Sequence, residues 1–279
     1  MNKIRIASLL LTAVMSCQML VSCGSQKEKS PDINTGSSSS ESSEDAPEHG
    51  MHPSFEQGND DTYDSDACAE RVLAELTDDE RSDEPLTFAK LGDIVSPSAE
   101  DQDGDLGDYR ETENGVKLYF EEDQFPKELM LTLEQYFLAI ENADYSLYTR
   151  CTYPDYFDRM TNFLQTNYNY DMKTSFSKQC ANLASLMNGS FKITRIKVEP
   201  AIEYQEGVDN LETYFGNLES LFEIEDGSFY DDIKKNCDNI YDATFYVMAK
   251  GKDEDHEDLI VSGYEIVFVE KDGRYYIFG

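Results

Sequence analysis

Tryptophan is absent from the 279 residues, histidine occurs three times, and 23 basic residues face 57 acidic ones. The formal net charge of −34 repels phosphate backbones and anionic lipid head groups, so nucleic acid is not expected as a partner and charge does not bring the protein to a lipid surface. The lack of tryptophan also weakens the case for a sugar-binding surface. Beyond the N-terminal leader there is no second long apolar run, and no second membrane crossing is predicted.

Motifs of familiar enzyme and metal sites are missing as well. The sequence has no G-x-S-x-G, G-x-G-x-x-G or P-loop pattern, and it has no C-x-x-C pair or histidine-rich cluster. We therefore predict no cofactor and no structural metal.

The first 22 residues have the layout of a secretory signal peptide. Lys3 and Arg5 precede an uncharged run over residues 6–21. That run contains several polar residues and is shorter than the ~20 predominantly apolar residues that a spanning helix needs. We therefore expect residues 1–22 to be removed.

The end of this leader resembles the lipobox of bacterial lipoproteins, because Leu20, Val21 and Ser22 precede Cys23, and Gly24 follows it. The resemblance implies cleavage before Cys23, a diacylglyceryl group on its thiol and an acylated N-terminus, with fatty chains such as palmitate. Two or three chains give stable anchoring. The predicted location is the cell membrane, facing outside the cytoplasm, with membrane lipid as a partner; an ordinary cleavage site is the alternative. Cys17 is rejected as the lipidation site because its preceding apolar run is shorter.

Residues 23–84 are rich in Ser, Asp and Glu, as in "SSSSESS" at 37–43, and are predicted to be a disordered tether. Within them, residues 67–76 place Cys68 and other apolar side chains on one helical face, with Asp66 as the expected N-cap.

Residues 85–120 are intermediate in composition and are predicted to be a partly ordered acidic segment. In this segment, Asp101, Asp103 and Asp105 fall at the first three ligand positions of an EF-hand loop. Leu106 stands where that loop needs glycine, and the twelfth position is not glutamate. A solvated acidic turn is the preferred interpretation, with a calcium site as the alternative.

Residues 121–279 have the pattern of a globular α+β domain. Helical stripes of apolar residues begin at Pro126 and Pro154, and a third helix is expected to begin after a cap at Asp171. Further helices are predicted near residues 211–222 and 229–237.

Strand patterns dominate the end of the chain, at residues 191–199, 242–250, 259–270 and 274–279. The strand at 191–199 has a phase slip that predicts a bulge or burial of both faces. The last two strands flank Asp272-Gly273, a strong hairpin signal, which aligns Val269 with Tyr276 and Val267 with Phe278. The order of elements predicts helices packed on one face of a curved antiparallel sheet.

This order, the phrase "LEQYFLAIENADYSLYTRCTYPDYF" at 133–157 and the ending "RYYIFG" resemble the nuclear-transport-factor-two-like, or cystatin-like, superfamily. The resemblance covers about residues 121–279 and implies a cone-shaped fold. It implies little about chemistry, because the scaffold serves enzymes, binding modules and structural partners.

Enzymes of this superfamily place His, Asp and Tyr in the mouth of the cone. The only histidine of the domain, His256, lies in an acidic loop and is expected to be solvated. Asp144, Asp155 and Asp158 are formal candidates for a general base. The first and second of these are better explained as residues at helix starts. We predict no catalytic residues.

Two functions follow from these observations. The first is a membrane-anchored, non-catalytic module that binds an unknown protein, peptide or small ligand, with Tyr168 and Tyr170 as a possible binding edge. The alternative is an extracytoplasmic hydrolase or isomerase that uses carboxylate and tyrosine chemistry.

Four cysteines remain outside the leader and lipobox: Cys68, Cys151, Cys180 and Cys237. They allow three pairings, which spacing alone cannot resolve. Buried thiols are the preferred interpretation, and a disulfide is the alternative.

Overall fold

A computed structural model describes residues 64–76, 84–98, 106–201, 209–225, 227–252 and 254–278. Several sequence predictions lie outside these residues and stay predictions. They are the signal peptide at 1–22, the lipobox around Cys23, the tether up to residue 63, and the calcium candidates Asp101, Asp103 and Asp105.

The described residues form seven helices and seven strands. The helices are α1 (Ser65–Glu75), α2 (Lys127–Glu141), α3 (Tyr145–Cys151), α4 (Pro154–Tyr168), α5 (Met172–Leu186), α6 (Asn210–Phe222) and α7 (Ser228–Asn236). The strands are β1 (Leu91–Val95), β2 (Tyr109–Thr112), β3 (Lys117–Tyr119), β4 (Phe191–Pro200), β5 (Asn239–Gly251), β6 (Asp258–Lys271) and β7 (Arg274–Phe278).

All seven strands join one open sheet in the order of the chain, β1 to β7. Five of the six neighbouring pairs are antiparallel, whereas β3 and β4 are parallel, with Leu118 opposite Ile196. The four helices α2 to α5 lie between these two strands and return the chain to the starting end of β3, as a parallel pair requires. The prediction of an antiparallel sheet was therefore wrong at this one junction, and the fold is mixed α+β.

Helices pack on both faces of the sheet, which corrects the prediction of a single covered face. The strand registers put Phe278 on the same face as Asp242, and Phe245 lies three residues further along β5, on the other face. The ring of Phe137 in α2 lies 5.6 Å from that of Phe245, and the ring of Phe215 in α6 lies 5.5 Å from that of Phe278. The helices between β4 and β5 also carry apolar stripes, and these stripes are buried on the second face.

The predicted helices after residue 121 are confirmed, with their caps. Helices α2 and α4 bury the stripes that begin after Pro126 and Pro154. The side chain of Asp144 accepts from the Leu147 N–H at 2.8 Å and begins α3. Asp171 caps α5 in the same way.

The predicted hairpin and bulge are confirmed as well. Asp272 and Gly273 have positive φ angles of 53° and 70°, and Val269 pairs with Tyr276. Val267 pairs with Phe278 in the same hairpin. The β4–β5 register shifts between Ile193 and Arg195, where the sequence has its phase slip.

Helix α1 occupies part of the region predicted to be a tether. It packs against α5, burying Cys68 and Val72, and the hydroxyl of Ser65 donates to Asn182 Oδ1 at 2.9 Å. Its N-cap is Asp64 rather than Asp66, because the Asp64 carboxylate accepts from the backbone N–H of residue 67 at 3.0 Å. Although the surrounding residues are mostly polar, the apolar face of α1 is long enough for this short helix to pack against α5.

Residues 84–98 and 106–120 also belong to the folded body. Their strands β1, β2 and β3 extend the sheet, and β3 pairs with β4. Leu118 and Tyr119 are buried there. The globular unit therefore begins before residue 121.

A buried glutamate joins the two helices that cover the second face. Glu219 in α6 is 2% exposed, and its carboxylate accepts from the N–H groups of Gly227, Phe229 and Tyr230 at 2.6, 2.8 and 3.0 Å. These N–H groups belong to the first turn of α7, where no helical carbonyl can reach them. Glu219 therefore acts as the N-cap acceptor that Gly227 cannot supply.

Replacing Glu219 tests this cap. Glu219→Ala leaves three N–H groups without their acceptor, so we expect a loss of roughly 2 kcal/mol or more in unfolding free energy, measured by urea denaturation. Glu225→Ala, in the exposed connection between the same helices, is the control and should change stability by less than about 0.5 kcal/mol. Equal effects of the two substitutions would contradict the capping role.

Candidate functional site

A groove of about 170 Å³ lies beside the edge strand β7, between helix α2, the end of α3 and the extended segment at 84–88. Pro85, Leu86, Phe88, Pro154, Tyr275 and Tyr276 give it an aromatic and apolar lining. Glu84, Glu128, Thr132, Arg150 and Arg274 supply its polar side chains. Mixed linings of this kind are typical of small-molecule sites.

The position of Arg150 is fixed by the way the chain leaves α3. Arg150 lies in the last turn of that helix, where a cation is favoured by the helix dipole. Two residues later, Thr152 forms a parallel bridge to Ile277, and the Tyr153 N–H donates to the Ile277 carbonyl at 2.9 Å. The backbone bonds to β7 therefore hold the guanidinium at the groove.

Arg150 lines this groove, and among the described residues it has no hydrogen-bond or ion-pair partner. Its Nε atom is buried. A guanidinium stays charged at every physiological pH. Such a group is costly to shield from water unless something satisfies it. The groove therefore presents an unused positive charge next to an aromatic surface.

Tyr275 contributes a neutral hydroxyl to the same groove. Burial, followed by the nearby Tyr241 and Glu270, raises the pKa of Tyr275 well above its usual value. Its ring lies 6.1 Å from that of Tyr241. Tyr275 is thus a protonated phenol at physiological pH.

A second, larger groove of about 570 Å³ runs along the strand ends near Ile94 and Pro200. Its cations are already paired. Arg110 contacts Glu122 and donates to the Gly92 carbonyl at 2.7 Å, and Lys197 lies 2.7 Å from Glu199. This groove therefore offers no unused charge of the kind that Arg150 provides.

The structure places His256 in the β5–β6 loop, between two acids. Its Nε2 lies 3.6 Å from Glu254 Oε2 and 3.3 Å from Asp258 Oδ2, with the His256 side chain 65% exposed. The three residues bring potential metal-ligand atoms within 4.8 Å of one another. This is a solvated surface cluster, as expected for this histidine.

The three aspartates considered as bases do not meet in a site. Asp144 caps α3, and Asp155 pairs with Arg159 Nε at 3.0 Å. Asp158 is exposed on α4. The predicted roles of the first two at helix starts are confirmed.

Tyr168 and Tyr170 lie together at the end of α4. Their ring centroids are 5.9 Å apart, and Lys178 Nζ lies 4.5 Å from the Tyr170 ring centroid. Tyr168 is 38% exposed and also contacts Phe163. These tyrosines form a small exposed patch rather than a concave site.

A carboxyl pair that the sequence did not indicate spans β5 and β6. Asp242 and Glu265 lie close enough for each to shift the pKa of the other, and Oδ1 of Asp242 is buried without a hydrogen-bond partner. Burial and the neighbouring Asp242 raise the pKa of Glu265 to about 7, and burial raises the pKa of Asp242. The pair lies near Tyr214, but neither groove is lined by its members. Strand periodicity alone could not identify it, because a carboxylate at such a position normally points to solvent.

Two more buried carboxyls lie on helix α2. Glu134 is fully buried and accepts from Thr112 Oγ1 at 2.6 Å and Asn114 Nδ2 at 3.1 Å. Glu141 accepts from the Ile193 N–H at 2.7 Å, and burial raises its pKa from 4.5 to about 7. These groups tie α2 to the β2–β3 turn and to β4.

No disulfide joins the four cysteines of the described residues, and three of them are buried. Cys68 and Cys180 lie at the α1–α5 interface, near enough for the charge of one to affect the pKa of the other. Burial raises the pKa of Cys151 and Cys180 well above the usual value, which makes these thiols unreactive. The preferred interpretation as buried thiols is thereby supported.

Comparison with known protein families, with curated proteins and with solved structures gives no match for this chain. Within the described residues, no helix combines the length and the apolar character needed to cross a membrane.

Glu141 provides a test of the buried carboxyls by pH. Its raised pKa means that the folded protein binds a proton more tightly than the unfolded chain between pH 4.5 and about 7. Stability should therefore fall as pH rises through this window, by up to roughly 3 kcal/mol from Glu141 alone. We expect Glu141→Gln to reduce this fall and to be more stable than wild type at pH 8, as measured by urea denaturation at several pH values.

Glu111→Gln, at an exposed position on β2, serves as the control and should keep the wild-type pH profile. If Glu141→Gln also keeps that profile, the carboxyl is not buried as described.

Proposed function

We propose that this protein is a lipid-anchored binding module that faces outside the cytoplasm and holds a ligand in the groove beside β7. The lipid on Cys23 would attach the chain to the membrane, and the acidic residues that follow would form a tether. No catalytic step is assigned to the groove.

The sequence supports the location. Lys3 and Arg5, the uncharged run at 6–21 and the residues around Cys23 follow the order of a lipoprotein leader. A body with a net charge of −34 has no electrostatic attraction for anionic lipids, so a covalent lipid is the physical means by which it would stay at the membrane.

The observation that carries the binding function is the unpaired Arg150 in an aromatic groove. The other groove has its cations in ion pairs, so the charge of Arg150 distinguishes this site. Because the backbone of residues 152 and 153 is bonded to β7, the site is preorganised and does not need a large movement to accept a ligand.

We also propose a distant relation of residues 121–279 to the nuclear-transport-factor-two-like, or cystatin-like, superfamily. The helices followed by a strand meander, with "RYYIF" as the last strand, favour the relation. The helices on the second face are a departure from it, and the parallel partner of β4 is a strand, β3, that lies before residue 121.

An extracytoplasmic hydrolase or isomerase is the second candidate, and the Asp242–Glu265 pair is the observation in its favour. Two interacting carboxyls whose pKa values are shifted by burial can divide acid and base roles. Hydrolysis of nitrophenyl esters or glycosides that is lost in Glu265→Gln would favour this candidate; we expect no such activity.

Detergent partitioning and intact mass test the anchor. Wild-type protein isolated from membranes should enter the detergent phase and carry an acylated Cys23, whereas Cys23→Ala should stay in the aqueous phase without lipid. Cys17→Ala is the matched control, since it changes the other leader cysteine, and it should behave like wild type. Wild-type protein that is cleaved without lipid would overturn the anchor.

Small neutral probes test the groove itself. Phenol and isopropanol, added at millimolar concentrations to isotopically labelled Cys23→Ala protein, should shift the amide resonances of residues 273–276 more than those near Tyr168. Absence of shifts at β7 would overturn the groove as a binding site, whatever the result for the lipid.

A further inference from the structure

We propose that the groove binds a small ligand that carries one carboxylate on an aromatic or apolar body. This inference rests on the proposed binding function and names the chemical class of its ligand.

Charge complementarity is the first argument. In a chain with a net charge of −34, cations are easily neutralised by neighbouring acids, as Arg159 is by Asp155 at 3.0 Å. Arg150 has no such neighbour among the described residues, and Arg274 lines the same groove. A negative group on the ligand would therefore form the ion pair with Arg150 that no described residue of the protein forms.

The shape of the guanidinium favours a carboxylate. Its planar donor fork matches two coplanar oxygens, which a carboxylate or a phosphate can offer. Glu84 and Glu128 also line the groove and would repel a doubly charged phosphate more strongly than a singly charged carboxylate. Glu84 and Glu128 therefore favour a ligand with one negative charge over a ligand with two.

The remaining lining specifies the body of the ligand. Phe88, Tyr275 and Tyr276 provide aromatic surface. The segment at 84–88 also adds aliphatic surface through Pro85 and Leu86. Aromatic rings pack favourably against such side chains beyond the area that they bury. The volume of about 170 Å³ suits a ligand of amino-acid size or the end of a longer molecule.

A matched series of probes tests the class. The probes are 3-phenylpropionate, 3-phenylpropanamide and 3-phenylpropylamine, which share one body and differ in charge, together with inorganic phosphate. Titrations followed by amide resonances of the Cys23→Ala protein should give the tightest binding for 3-phenylpropionate, at least about tenfold tighter than for the amide or the amine.

Arg150→Gln should weaken the binding of 3-phenylpropionate about tenfold and leave the affinity for the amide unchanged. Arg150→Lys keeps the charge without the fork and should give an intermediate affinity, which guards against a mere folding defect. Lys197→Gln removes a cation of the second groove and should bind like the unsubstituted protein.

Equal affinities for the propionate and the amide would overturn the carboxylate, as would tighter binding of phosphate or an unchanged affinity in Arg150→Gln. In those cases, phenol shifts at residues 273–276 would still support the groove. Absence of both phenol and propionate binding would overturn the groove together with its ligand class.

Discussion

The ring of Phe278, near the end of the last strand, is the contact on which much of the second face depends. It is 1% exposed and lies within 6.2 Å, centroid to centroid, of Tyr153 and Tyr156 at the start of α4, Phe215 of α6 and Phe229 of α7. Three helices therefore meet the sheet through one side chain. Because β7 is an edge strand, this cluster, together with the backbone bonds from residues 152 and 153, keeps the edge in place and so shapes the groove beside it.

Local features of the fold could be predicted from the sequence because they depend on neighbouring residues. The stripes after Pro126 and Pro154, the cap at Asp171 and the Asp272-Gly273 turn each require only a few positions. The errors concern long-range placement. The parallel β3–β4 pair joins strands separated by four helices. The apolar periodicity of a segment indicates whether it is a strand, but it does not indicate which other strand will pair with it. In the same way, the apolar face at 67–76 is evident from the sequence, but its docking on α5 is a long-range contact that the sequence does not specify.

The groove was not predictable for a related physical reason. Its side chains come from the segment before β1, the three helices α2, α3 and α4, and the β6–β7 hairpin, and each is unremarkable in its own segment. Arg150 in "DYSLYTRC" has the appearance of an ordinary basic residue at a helix end. What distinguishes it is that no carboxylate of the described residues forms an ion pair with it, although Glu84 and Glu128 line the same groove, and this depends on the tertiary arrangement. The candidate residues that the sequence did suggest, such as His256 and Asp158, are exposed. A single residue of a suitable type does not indicate that other functional side chains lie close to it in the fold.

The parallel pairing of β3 with β4 also bears on how the chain reaches its fold. Strands β1 to β3 join the rest of the sheet through this one pairing, which must wait until helices α2 to α5 and β4 have been made. Contacts between residues so far apart in the chain close large loops and are formed slowly. For a chain that emerges with its N-terminus first, β1 to β3 can pair with one another early, but the other edge of β3 stays unpaired until β4 has been made. The many acidic residues around strands β1 to β3 then have a second effect. Their like charges keep an unpaired strand edge from pairing with the strand edges of other copies of the chain.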